Sequence, residues 1–142
     1  MEVMMRKDVP VEMTWDLSLL YKKEEDVWAD AELAAQMSKE IAGKYPGTLN
    51  RAETIDACMS EMQEMNRLFY LSVSYAELAA SVDYYDAHAQ SMHAAIRNLI
   101  AEAESRLSFV EAEISRNEAA VLDEAIAYAQ EKKSGNACWL KD

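Results

Sequence analysis

DAHAQSMHAAIRNLIAEAESRLSFVEAEIS, residues Asp86 to Ser115, contains neither Gly nor Pro and is rich in Ala, Glu and Leu, all strong helix formers. Its apolar residues Met92, Ile96, Leu99, Ala103, Leu107, Val110 and Ile114 recur at steps of three and four. That spacing belongs to one face of a helix and not to a strand. The pattern predicts a single helix over the whole stretch, about 45 Å long.

Upstream lies the helix that covers it. Asn50, with Glu53 three residues on, reads as a capping box. From there to Ser81 no Gly or Pro interrupts a face of Ile55, Met59, Met62, Phe69, Val73, Ala76 and Ala80. Met59, Met62 and Met65 at this spacing read as core. The linker Ser81 to Asp86 is short, and Asp83 or Asp86 can cap the following helix, so the two are expected to form an antiparallel hairpin.

Downstream, Ser115-Arg116-Asn117-Glu118 reads as a second capping box. It starts a last helix to about Lys133, with Leu122, Ala125, Ile126 and Ala129 on one face and Gly135 at its exit. The first helix runs from about Glu24 to Ala42. Acidic residues occupy its first turn, Val27, Ala34, Met37 and Ile41 share its face, Leu33 flanks that face, and Gly43 is its expected C-cap. Before it, Pro10 favours an extended arm, and Trp15, Leu17 and Tyr21 are expected to clamp that arm onto the helices.

Composition narrows the function classes. The 142 residues predict one domain, and a net charge of −12 disfavours nucleic acid and anionic membrane surfaces as partners. The opening MEVMMRKDV is too charged for a signal-peptide core, and no apolar run reaches membrane-span length. Cys58 and Cys138 form no CxxC pair, which fits a reducing, cytoplasmic setting, and Cys58 reads as a small buried residue.

No constellation of catalytic residues is legible. His-Glu-x-x-His and Glu-x-x-His are absent. His88 and His93 are five apart, about 140° around a helix, and do not share a face. Asp83, Asp86 and His88 could be drawn as a weak metal cluster, but capping accounts for both aspartates. Glu102/Glu104 and Glu111/Glu113 lie two apart and read as solvated charges. No cofactor is implied. Tyr70, Tyr75, Tyr84 and Tyr85 are the candidates to face a partner, since a Tyr at an interface rim keeps its hydroxyl in water.

Four segments carry a family resemblance. Thr14-Trp15-Asp16-Leu17-Ser18, with Leu20-Tyr21, resembles the opening motif of the oligoendopeptidase F family of zinc metallopeptidases. Tyr45-Pro46-Gly47-Thr48-Leu49, Tyr75-Ala76-Glu77-Leu78 and Leu107-Ser108-Phe109-Val110-Glu111-Ala112-Glu113-Ile114 resemble further motifs of that family, in the same order. Together they span about residues 9 to 130. Val110 and Ala112 depart from the family's Phe and Pro.

The resemblance implies the family's N-terminal helical domain, one wall of a peptide channel whose zinc site lies in a following catalytic domain. This chain stops at Asp142, short of such a domain. The expected fold is therefore an all-α, elongated antiparallel bundle of about four helices. It divides into an arm and turn at 1–22, a helical domain at 23–133 and an unrelated tail at 134–142. Trp15, Leu17, Tyr21, Phe109 and Ile114 are its structural anchors. The expected role is that of a non-catalytic, stand-alone domain. The alternatives are a peptide- or protein-binding module acting as a homodimer, or the remnant of a truncated or split peptidase gene partnered by a separate catalytic domain.

Overall fold

The computed structural model describes residues 8–141, so the charged opening through Lys7 and the terminal Asp142 lie outside it. Two single 3-10 turns, Val11–Met13 and Leu17–Leu19, form the arm. Six helices follow: α1 (Glu24–Lys44), α2 (Ala52–Val82), α3 (Ala87–Leu107), α4 (Phe109–Ile114), α5 (Ala119–Lys132) and α6 (Asn136–Lys141). Four of these are long, and there is no strand among the described residues. The expected all-α bundle is the observed fold.

Side-chain pairs fix the helix directions. Tyr21, at the entrance to α1, meets Ser72 late in α2, while Lys44 at the far end of α1 pairs with Glu61 early in α2. α1 and α2 are therefore antiparallel. Glu24 meets His88 and Ser38 meets Arg106, so α3 runs alongside α1 in the same direction. α2 and α3 form the expected hairpin, with Gln90 donating to the Ala80 carbonyl across its turn. α5 packs on α2, and α6 packs on α5 and α2.

The core divides along the bundle. At the arm end, Val27, Ala31, Ala76, Met92 and Ile96 pack together with Tyr21, Trp28 and Tyr75 at their edge. At the other end Ile41, Leu49, Ile55, Met65, Phe69, Ala103, Leu107 and Ala125 join a larger cluster. Met59 and Met62 pack against that cluster, so the Met stripe is core. Each fully buried Ile or Leu removed from water supplies about 1.5–3 kcal/mol.

Several local expectations are corrected. The stretch Asp86 to Ser115 is two helices, because the chain breaks at Ser108, whose hydroxyl bonds back to the Ser105 carbonyl. Such back-bonding competes with the main-chain ladder and bends helices. α1 continues through Gly43 to Lys44, and the left-handed conformation falls instead on Gly47 (φ 77°) in the turn that follows.

Neither capping box forms. Arg51 and Glu118 are the N-caps, each without a side-chain cap bond. The Thr54 hydroxyl reaches back to the Thr48 and Arg51 carbonyls, and Asn117 donates to the Leu49, Glu113 and Ile114 carbonyls. Asp86 does cap α3, accepting from the main-chain N–H groups of His88 and Ala89.

The expected tail is a helix seated by a buried polar residue. Asn136 is fully buried. Its side-chain amide donates to the Asp56 carbonyl (3.1 Å), Asp56 Oδ1 (2.7 Å) and Ser60 Oγ (3.0 Å), and its side-chain oxygen accepts from Gln63. The Ser134 hydroxyl is a second donor to the same Asp56 carboxylate oxygen. A buried amide with every polar atom engaged fixes one orientation of the segment that carries it.

Candidate interaction surface

The motif segments singled out from sequence meet at two joints of the bundle. At the arm joint, the Leu17–Leu19 turn packs on α2. Tyr21, half-buried, sets its ring edge-on to Tyr75 with centroids 5.8 Å apart. Its hydroxyl donates to Asp30 Oδ2 at 2.8 Å. Burial, with the Asp30 carboxylate beside it, pushes the Tyr21 hydroxyl above its ordinary range against the opposing hydrogen bond with Ser72. Tyr21 thus ties the arm to α1 and α2 together.

Trp15 does not anchor the arm. Its side chain is 69% exposed. The Asp16 carboxylate closes the next turn by accepting from the Ser18 N–H and hydroxyl, and this swings the chain so that Leu17, not Trp15, faces the helices. Those two bonds, the hydroxyl's first, also hold Asp16 below the ordinary carboxylate range.

The second joint lies at the opposite end. The Tyr45–Leu49 turn is held by Glu113, both of whose carboxylate oxygens accept from the Gly47 N–H at 2.9 Å, and by the Asn117 bond to the Leu49 carbonyl. Phe109 and Ile114 pack half-buried against the larger core cluster. Here also the Tyr45 hydroxyl and Lys44 ammonium both donate to Glu61 Oε1, at 2.7 and 2.6 Å. Burial alone raises Glu61, but these two donors outweigh it and hold the carboxyl below its usual value.

Several side chains with chemical potential are engaged structurally, whereas His93 Nε2 is buried with no hydrogen-bond partner among the described residues. Cys58 is fully buried, and burial above all, with Glu61 and Glu113 nearby, pushes its thiol up to about 12, out of thiolate range near neutrality. Asp83 accepts from the Tyr85 N–H, Asp86 caps α3, and His88 Nε2 lies 2.7 Å from Glu24 Oε1. No group of three or more His, Cys, Asp or Glu gathers as a metal site among the described residues. Among the described residues, no helix is long and apolar enough to cross a membrane.

Exposed apolar side chains crowd the arm end. Val11, Met13, Trp15 and Leu19 on the arm, and Tyr84 and Tyr85 in the α2–α3 turn, all project into solvent, the two tyrosines edge-on to each other. Among the candidates to face a partner, Tyr70, Tyr84 and Tyr85 are exposed, whereas Tyr75 is drawn into the arm joint.

Sequence reasoning missed Val11 and Met13, and it missed the Asn136 network. An amphipathic count reads residues within one element, and these gain meaning from what the fold sets beside them. Comparison of the chain with known family models, curated proteins and solved structures finds no match.

Proposed function

We propose that this chain is a non-catalytic helical domain, similar to the N-terminal wall domain of the oligoendopeptidase F family, that works by packing against another polypeptide. One observation carries the reading: the four motif segments meet in pairs as joints of the bundle. Tyr21 of the first touches Tyr75 of the third, and Gly47 of the second is held by Glu113 of the fourth. Motif residues used this way position helices and leave the chemistry to a partner. The exposed apolar arm supports the same reading, because clustered apolar surface is a common mark of an interaction site. A cytoplasmic setting belongs with it, since both Cys58 and Cys138 are free thiols.

Incubation of the pure protein with quenched fluorescent peptides and added zinc tests the proposal. It predicts no turnover above buffer; turnover that a chelator abolishes would overturn it. A second reading, homodimerisation along the long helices, draws on Leu33 of α1 and Tyr70 of α2, large side chains left in solvent. Light scattering over a concentration series tests it, and a strictly monomeric mass counts against it.

A further inference from the structure

Three features coincide where the arm meets the C-terminus of α2. Val9, Met13, Trp15, Leu78, Ser81 and Val82 line an open groove of about 290 Å³. Leu78 is half-buried on its floor, while Met13 and Trp15 stand exposed on its rim. The groove is open and shallow, and Thr14 and Ser81 share its lining with the apolar side chains.

The second feature is the end of α2 itself. This 31-residue helix stops at Val82 with no basic residue in its last turn and no main-chain N–H closing back from its C-cap. Gln90 satisfies the Ala80 carbonyl, but among the described residues no main-chain or side-chain donor reaches the Ser81 or Val82 carbonyl. Helix C-termini carry partial negative charge and favour cations, and this one opens onto the groove.

Charge is the third. From Leu68 to Ile96 the sequence holds Glu77, Asp83 and Asp86 and no Lys or Arg, and the arm from Asp8 to Tyr21 holds Asp8, Glu12 and Asp16 and no Lys or Arg. Arg6 and Lys7 precede the arm in the sequence, and Lys22 and Lys23, both exposed, follow it. Among the described residues, the two segments that line the groove therefore carry acidic side chains and no Lys or Arg. A second copy of a chain with net charge −12 is a poor match for such a surface.

Resting on the reading of this chain as a domain that packs against another polypeptide, we infer that this end docks a cationic amphipathic segment of its partner. One apolar side chain of that segment sits in the groove between Trp15 and Leu78. A neighbouring Lys or Arg donates to the open carbonyls of α2 and pairs with Asp83. Helices that lay an apolar face into a groove with charged flanks are a recurrent mode of recognition.

The experiment titrates the whole protein into a fluorescein-labelled amphipathic Leu/Lys helix peptide, with a Leu/Glu peptide of the same pattern as control, and follows anisotropy. The Leu/Lys peptide is expected to bind saturably and to weaken as salt is raised. Trp15→Ser and Asp83→Lys, both surface changes, are each expected to weaken binding about tenfold. Trp139→Ser, on the exposed surface of α6, is expected to leave it unchanged. Equal binding of the Leu/Glu peptide, or indifference to both Trp15→Ser and Asp83→Lys, overturns the inference. So does self-association that Trp15→Ser abolishes, because the groove then belongs to a second copy. Failure of both peptides to bind also overturns it, while the non-catalytic reading is judged separately by peptide turnover.

Discussion

Replacing Asn136 by Ala tests whether α6 is a built part of the fold. The substitution removes the hydrogen bonds to Asp56, Ser60 and Gln63 at a fully buried position and leaves the Asp56 carboxylate short of one of its two donors. A net hydrogen bond is worth about 0.5–1.5 kcal/mol, one to a charged group about 1.5–3, and a stranded buried partner costs about 1–3. These effects overlap, because Ser134 still donates to Asp56. The expected loss is about 2–3 kcal/mol. For a chain of 142 residues that lowers Tm by about 7–10 °C. Thermal melts followed by circular dichroism measure it, with Trp139→Ala as control, since Trp139 is exposed and is expected to change stability by less than about 0.5 kcal/mol. An Asn136→Ala loss no larger than the control's would refute the view that this network seats α6.

Three further outcomes are expected. Asp86→Ala should cost about 1 kcal/mol by removing the α3 cap, and Asp86→Asn should restore most of it, both read from urea midpoints. In the native protein a thiol reagent should modify the exposed Cys138 quickly and the buried Cys58 only on unfolding; equal rates would contradict the packing at Cys58. Glu61 sits below its ordinary value when folded, so its contribution is present above the unfolded carboxylate range, about 4, and is lost as pH falls through the folded value. Glu61→Gln should therefore flatten the acid side of the stability profile, and an unchanged profile would count against the Lys44–Glu61–Tyr45 cluster.

Much of the architecture is legible in the sequence because helix periodicity and burial agree. Val27, Ala34 and Ile41 on α1, Ile55, Phe69 and Ala76 on α2, and Met92, Ile96 and Ala103 on α3 lie at the spacing of one helix face and are buried. The errors lie where a local pattern competes with tertiary contacts. The two capping boxes match in residue type, but Thr54 and Asn117 serve loop carbonyls across the Tyr45–Leu49 turn, and the caps move to Arg51 and Glu118. The break at Ser108 carries no Gly or Pro to announce it. α6 is only six residues long, below what a helix sustains alone, and its cause is the polar row Asp56, Ser60 and Gln63 some eighty residues away. Large aromatics usually bury, which favours a core position for Trp15, but the turn closed by Asp16 decides otherwise.

That the motif residues serve as joints of a bundle, and not as catalytic groups, is tested most directly by a double-mutant cycle at Tyr21 and Tyr75. The single changes Tyr21→Leu and Tyr75→Leu and their combination are compared by urea denaturation. Ring edge-to-face contact at 5.8 Å predicts a coupling of about 0.5–1.5 kcal/mol. Strictly additive losses would contradict the account.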